Sequence, residues 1–134
     1  AGWRGLAAGV LENTLKKFTC PKNEILAWLG PAISQQVFEV GAEVKDAFLA
    51  ASPQAIQTEI AAAFIPSKNV GKFMACLYSL ATARLKAAGV QQVFTPNPAD
   101  LCTYTNNATY YSHRYATNQL NQPTGRMASV IYLA

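Results

Sequence analysis

The stretch LAAGVLENTLKKFTCPKNEILAWLGP, residues 6–31, shows the pattern on which the rest of the chain is built. Apolar residues at Leu11, Leu15 and Phe18 have the i, i+4, i+7 spacing of an amphipathic helix, and polar residues lie between them. A proline turn follows, and then a short apolar run over residues 25–29 ends at a Gly-Pro pair. Such a short run favours a buried strand. The stretch therefore predicts a helix and then a strand.

Two kinds of segment alternate over the rest of the chain. Helical stripes predict further helices over residues 44–51, 53–65 and 70–88, the last of them capped by Gly89. Apolar or aromatic runs predict strands over residues 90–94, 110–115 and 127–133, and the polar segment 95–108 suggests a surface loop. Helices between strands predict a mixed α/β, or α+β-like, domain with helices packed on a layered sheet.

Composition supports one globular domain. The 134 residues are 51% hydrophobic and 13% charged, and no run of about 18 apolar residues is present, so no membrane span or membrane partner is expected. The three cysteines have no paired spacing, which favours a reducing, cytoplasmic setting without a disulfide framework or zinc ribbon. There is no initiator Met and no signal peptide, so we expect a fragment or a processed piece.

Positive charge is concentrated in the second half of the chain. The net charge is +4, and the segment from residue 60 onward contains six basic residues but only one acidic residue, Asp100. These charges are scattered singly, whereas a nucleic-acid surface would group them with aromatic residues. Small anionic ligands are the expected partners, and nucleic acid is not.

The opening Ala1-Gly2-Trp3-Arg4-Gly5 is the most informative local motif. Two glycines beside an arginine, just before a predicted helix, let backbone N–H groups, a helix dipole and a guanidinium converge on one anion. The motif predicts an oxyanion or phosphate site. The structural alternative is that Arg4 pairs with a carboxylate while Trp3 packs into the core.

Other reactive residue types favour structural roles. His113 is the only histidine, and with isolated cysteines it makes a poor metal ligand set; a Ser/His/Asp triad also lacks any supporting motif. Cys102 lies in the predicted loop, where a reactive thiolate is conceivable, but a small buried hydrophobe is the favoured role. Arg126 precedes the last predicted strand, where pairing with a carboxylate is favoured over anion binding. Neither a catalytic nor a metal-ligating residue is assigned.

Five motifs together resemble the YfiH-type laccase-domain family in order and spacing, over essentially the whole chain. They are Ala1-Gly2-Trp3-Arg4-Gly5, Leu29-Gly30-Pro31-Ala32-Ile33, Phe38-Glu39-Val40-Gly41, Leu101-Cys102-Thr103 with Tyr110-Tyr111-Ser112-His113-Arg114, and Thr124-Gly125-Arg126-Met127-Ala128. The resemblance implies a CNF/YfiH-like fold grouped with cysteine hydrolases. It also implies a zinc or copper centre made by two histidines and one cysteine, none of which matches a residue of this chain. Residues 1–134 are therefore expected to be the C-terminal portion of one domain, with its ligands and missing half upstream.

The function implied by this resemblance is metal-dependent purine nucleoside phosphorolysis of adenosine, inosine or methylthioadenosine, with adenosine deamination as a further activity. Arg4, with Gly2 and Gly5, would then hold phosphate. One alternative is a copper-dependent polyphenol oxidase. Another is that this chain alone is a non-catalytic half, inactive and without tightly bound metal.

Overall fold

The computed structural model describes residues 2–131 and confirms a mixed α/β domain. Its helices are α1 (Gly2–Ala7), α2 (Val10–Leu15), α3 (Ala42–Ala50), α4 (Gln57–Ala62), α5 (Leu77–Ala87) and the single turn α6 (His113–Tyr115). Its strands are β1 (Leu26–Trp28), β2 (Glu39–Gly41), β3 (Phe64–Pro66), β4 (Lys72–Ala75) and β5 (Gln92–Phe94). Within residues 2–131, no helix is both long and apolar enough to cross a membrane.

The strands form two small sheets. β1 pairs with β5 in parallel, with Trp28 opposite Phe94. The other sheet is antiparallel in the order β2-β4-β3, with Val40 opposite Phe73. The connection between β1 and β5 contains the antiparallel sheet and the longest helix, as a parallel pairing requires a long crossover.

Two apolar clusters hold these elements together. The larger lies between α3, α4, α5 and the antiparallel sheet, where Phe48, Ile60 and Leu80 are completely buried. The Phe48 and Phe64 rings lie 5.9 Å apart between centroids, an aromatic contact that adds to simple burial. The smaller cluster, Leu15, Leu85 and Val90, joins α2 and α5 to the inner face of the β1–β5 sheet.

Several predicted element boundaries are wrong. The helix predicted over residues 6–18 is two short helices, because Gly9 takes a left-handed conformation with φ of 84° between α1 and α2. The start of the helix predicted over residues 70–88 is instead β4, which pairs with strands on both sides, and α5 begins only at Leu77. The helix predicted over residues 53–65 ends early, because Phe64 begins β3. Tertiary strand pairing outweighs helical spacing at these positions.

The β-rich end is also not observed in the described residues. The segment 110–115, predicted as a strand, contains α6 at its end, and the Ser112 hydroxyl caps that turn by accepting a hydrogen bond from the Tyr115 N–H at 3.3 Å. Residues 127–131 have no strand partner among the described residues, while residues 132 and 133 of that predicted strand lie outside them. The cap at Gly89 is confirmed, with φ of 98°.

Candidate functional site

The glycine-arginine motif lies on α1 itself and not in a loop before a helix. Leu6 and Ala7 bury the end of α1 in the main core, and Trp3 packs half-buried against the same cluster. Arg4 is exposed, with its guanidinium 4.8 Å from the centre of the Trp3 ring. A cation over an aromatic face is held in place while its outer N–H groups stay available to a ligand.

The charge of Arg4 is not neutralised within the described part of the chain. The two ion pairs found there join Lys72 to Glu39 and Arg84 to Glu12. The predicted alternative of an Arg4–carboxylate pair is therefore not observed, whereas its other half, packing of Trp3, is. Because α1 has only six residues, a helix dipole adds little to anion binding here.

The structure does not bring Gly2, Arg4 and Gly5 around one cavity. Gly2 has φ of 64° and lines a cavity of about 230 Å³, whose other walls include Leu6, Trp28, Gly30 and Tyr78. Gly5 lines a wider depression of about 470 Å³ on the α2 side, which also exposes Asn13 and Lys17. Arg4 lines neither. Arg4 is thus exposed and outside both ion pairs of the described residues, while the two glycines lie beside different depressions.

Tyr78 is a residue near this cavity that sequence patterns did not single out. Its hydroxyl donates to the Gly30 carbonyl oxygen at 3.0 Å and accepts from the Ala32 N–H at 3.1 Å. Burial raises the pKa of Tyr78, so the phenol stays protonated and able to donate. Tyr78 thereby fixes the Gly30–Ala32 backbone beside Gly2. The Gly-Pro motif indicated this turn, but no local signal indicated a partner 48 residues away.

Cys102 fixes the same loop from the other side. It is 1% exposed, forms an isolated parallel bridge with Ala32, and its Sγ accepts a hydrogen bond from the Ser34 N–H at 3.3 Å. Burial acts to raise the pKa of the Cys102 thiol, but hydrogen bonds from Ser34 and Thr105 outweigh it and lower the pKa to about 7. The burial agrees with the packing role, because a thiolate must be reached by its substrate in order to react.

This pKa predicts a pH-dependent stability. Since the Cys102 pKa falls from 9.0 to about 7 on folding, the thiolate stabilises the native state above pH 9, and this contribution is lost as pH falls through 7. We expect the free energy of unfolding to rise by about 1 to 2 kcal/mol between pH 7 and pH 9. Urea titrations across this range measure it. Cys102→Ala should flatten the rise and Cys20→Ala should retain it; an equal slope in both variants would contradict the assignment.

The remaining candidates are exposed side chains. His113 is exposed at the start of α6, and Arg126 is exposed and belongs to neither ion pair of the described residues. The carboxylate partner expected for Arg126 is therefore not observed. Residues 2–131 contain no group of three His, Cys, Asp or Glu side chains placed to hold a metal ion. These residues do not fit the donor set of the implied zinc or copper centre.

The excess of basic residues in the second half leaves less free positive charge than the count suggests. Arg84 is buried and paired with Glu12, with its Nε 2.6 Å from the carboxylate oxygen Oε1. Arg114 donates from Nη1 to the Glu39 carbonyl oxygen at 2.8 Å and stacks on Phe38. Lys72 pairs with the Glu39 side chain, and the pKa of Glu39 is lowered chiefly by hydrogen bonds from Ser67 and Asn69, with a smaller effect of Lys72. Several basic residues thus have structural partners.

Comparison with known proteins finds relatives of this chain. Two proteins named purine nucleoside phosphorylase, from Pseudomonas aeruginosa and Escherichia coli, are each 48% identical over 133 residues, which is 99% of this chain. The chain spans about half the length of these curated relatives, 50% and 49% respectively.

Solved structures show the same relationship. A Neisseria meningitidis protein aligns with a TM-score of 0.73 and 45% identity, over 86% of this chain and 44% of its own. The Bacillus licheniformis protein YfiH aligns with a TM-score of 0.74 and 25% identity, over 86% of this chain and 42% of its own. The sequence pattern of the family described as multi-copper polyphenol oxidoreductase laccase matches residues 1–134. The chain therefore belongs to this laccase-domain family, whose relatives include the YfiH-type proteins.

Proposed function

We propose that this chain is part of a purine nucleoside phosphorylase and that Arg4 binds the attacking phosphate. The exposed Arg4 guanidinium, held on Trp3 and free of a carboxylate partner among the described residues, carries the proposal. The names of its relatives supply the reaction class. A charged, accessible guanidinium is suited to the paired N–H contacts that a phosphate accepts.

In such a reaction a phosphate oxygen attacks C1′ of the nucleoside while the bond from C1′ to the purine nitrogen breaks. The products are the 1-phosphate of the sugar, ribose 1-phosphate in the case of adenosine, and the free base, which takes up a proton. Arg4 would orient the phosphate and offset its negative charge as it approaches the sugar. The described residues do not supply the implied zinc or copper centre, whose ligands would lie in the upstream half.

The family description favours a second candidate, a copper-dependent oxidation of phenols. The two are separated by joining the upstream half of the Escherichia coli relative to residue 1 of this chain. We expect the chimera to release purine from adenosine, inosine or methylthioadenosine only when phosphate is present. The sugar 1-phosphate, which is ribose 1-phosphate or, from methylthioadenosine, 5-methylthioribose 1-phosphate, should form in equal amount. Oxygen uptake with a phenol, without phosphate-dependent base release, would replace this proposal by the oxidase. The 134-residue chain alone is expected to be inactive, and ammonia release tests the deaminase activity separately.

Arg4→Ala in the chimera tests the residue assignment. A charge-assisted contact contributes about 1.5 to 3 kcal/mol, so we expect kcat/KM for phosphate to fall by roughly 10- to 150-fold. The KM for the nucleoside should change by less than about threefold, since Arg4 is assigned to the phosphate. Arg4→Lys should recover part of the loss, and Lys68→Ala, which removes an exposed charge from the β3–β4 turn, should have no effect. Unchanged phosphate kinetics in Arg4→Ala would remove Arg4 from the site.

A further inference from the structure

The outer face of the β1–β5 sheet, defined here as Leu26, Trp28 and Phe94, is apolar and uncovered. These side chains are 64%, 52% and 53% exposed. Trp28 and Phe94 are directly opposite each other across the strands, and Leu26 lies two residues from Trp28, so all three project from one side of the sheet. A contiguous group of large apolar side chains on a surface marks an interaction site more often than scattered ones do.

The opposite side of this sheet is packed in the ordinary way. Ala27 and Val93 face the cluster formed by Leu15, Leu85 and Val90. Parallel sheets occur almost only with both faces covered, and sheets most often have about four to six strands. In the described part of this chain, β1 and β5 pair only with each other, so both outer edges of the sheet are also open. One face therefore lacks the cover that a parallel sheet requires, and both edges are open to a further strand.

A second unpaired element lies next to the same sheet. Residues 127–131 belong to the segment whose alternating sequence predicts a strand, yet residues 123–131 make no backbone hydrogen bond with another described residue. The side chains of Val130 and Ile131 are 84% and 89% exposed. A methyl group placed on Gly30 would lie 3.4 Å from Ser129 Oγ and 3.3 Å from the Trp28 ring, so this segment passes the end of β1.

We propose that the outer face and residues 127–131 together form the surface that binds the other half of a laccase-family domain. The length of the relatives supports this occupant, because this chain aligns with about half of each relative and with 44% of the Neisseria structure. The remaining half of such a protein is available to the sheet within one molecule. It would supply apolar cover for Trp28 and a strand edge for residues 127–131. The competing occupant is a second copy of this chain.

Hydrogen exchange measured by mass spectrometry tests whether this surface is covered, without any engineered chain. The 134-residue chain is compared with the full-length Escherichia coli relative, segment by aligned segment. We expect exchange at the positions aligned with β1, β5 and residues 127–131 to be at least about tenfold slower in the relative. The segments aligned with β2 and β4 are the internal control and should differ by less than about threefold. Equal exchange at the β1, β5 and 127–131 positions would overturn the proposal.

Trp28→Lys tests the side chains themselves. In the chimera described above, it should lower the midpoint of thermal unfolding by about 8 °C or more, and in the 134-residue chain by less than about 2 °C. Val70→Lys, at a fully exposed position of the β3–β4 turn, should leave the midpoint of thermal unfolding unchanged in both proteins. Light scattering of the 134-residue chain over a range of concentrations tests the competing occupant, and a chain that stays monomeric excludes it. A dimer that the Trp28→Lys substitution dissociates would overturn the proposal in favour of self-association. If the chimera does not fold, the exchange comparison decides the matter.

Discussion

Replacing Phe48 with alanine is expected to lower the free energy of unfolding of the chain by about 4 kcal/mol. Phe48 is completely buried on α3 and packs against the Phe64 ring at 5.9 Å. Its removal takes away apolar burial and leaves a cavity at the centre of the larger cluster, where three helices and the antiparallel sheet meet and cannot collapse without losing other contacts.

Urea unfolding followed by circular dichroism measures this loss. Phe18→Ala is the matched control, because the Phe18 side chain is half exposed and should lose less than about 1 kcal/mol. The free energy of unfolding of native domains is about 5 to 15 kcal/mol, so Phe48→Ala should remove a large part of the stability of this chain. A loss below about 2 kcal/mol would show that the core relaxes around the missing ring.

Arg84→Met is expected to lower the free energy of unfolding by about 3 kcal/mol, because it leaves the Glu12 carboxylate without its partner. Arg84 is 4% exposed and Glu12 is 29% exposed. Their ion pair, with Nε of Arg84 2.6 Å from Oε1 of Glu12, joins α5 to α2. Removing one member of a buried pair costs about 3 to 5 kcal/mol, and the partial exposure of Glu12 places this case at the lower end.

The double variant Glu12→Leu/Arg84→Met separates the cost of an unpaired charge from the value of the pair. In the native chain, Nη1 of Arg84 and Oε2 of Glu12 have no hydrogen-bond partner among the described residues, so the pair offsets its own desolvation incompletely. We expect the double variant to unfold within about 1 kcal/mol of the parent. Lys86→Met, which removes an exposed charge from the same helix, controls for the loss of one positive charge in Arg84→Met. A double variant as unstable as Arg84→Met would show that the ion pair itself is strongly stabilising.

The candidate site was only partly predictable from the sequence. The motif around Arg4 has a local signal, since an arginine between two glycines predicts an anion site from adjacent residues alone, but the structure places those glycines beside different depressions. Tyr78 has none, because its two hydrogen bonds join α5 to a turn that lies far away along the chain. The same is true of the pair formed by Glu12 and Arg84, which are 72 residues apart. Nothing in the local sequence distinguishes Arg84 from the other basic residues of the second half, although the structure buries it.

Local sequence determined the mixed α/β class, the β1 strand, helix α3 and the cap at Gly89, because each depends on side-chain spacing or on one backbone conformation within a few residues. Tertiary structure alone decided that residues 72–75 form β4, since their apolar residues also fit a helical stripe and only pairing with β2 and β3 selects the extended form. It likewise left residues 127–131 unpaired, although their alternation suits a strand. A strand is stable only beside a neighbour whose backbone groups accept and donate its hydrogen bonds, and that neighbour is specified elsewhere in the sequence.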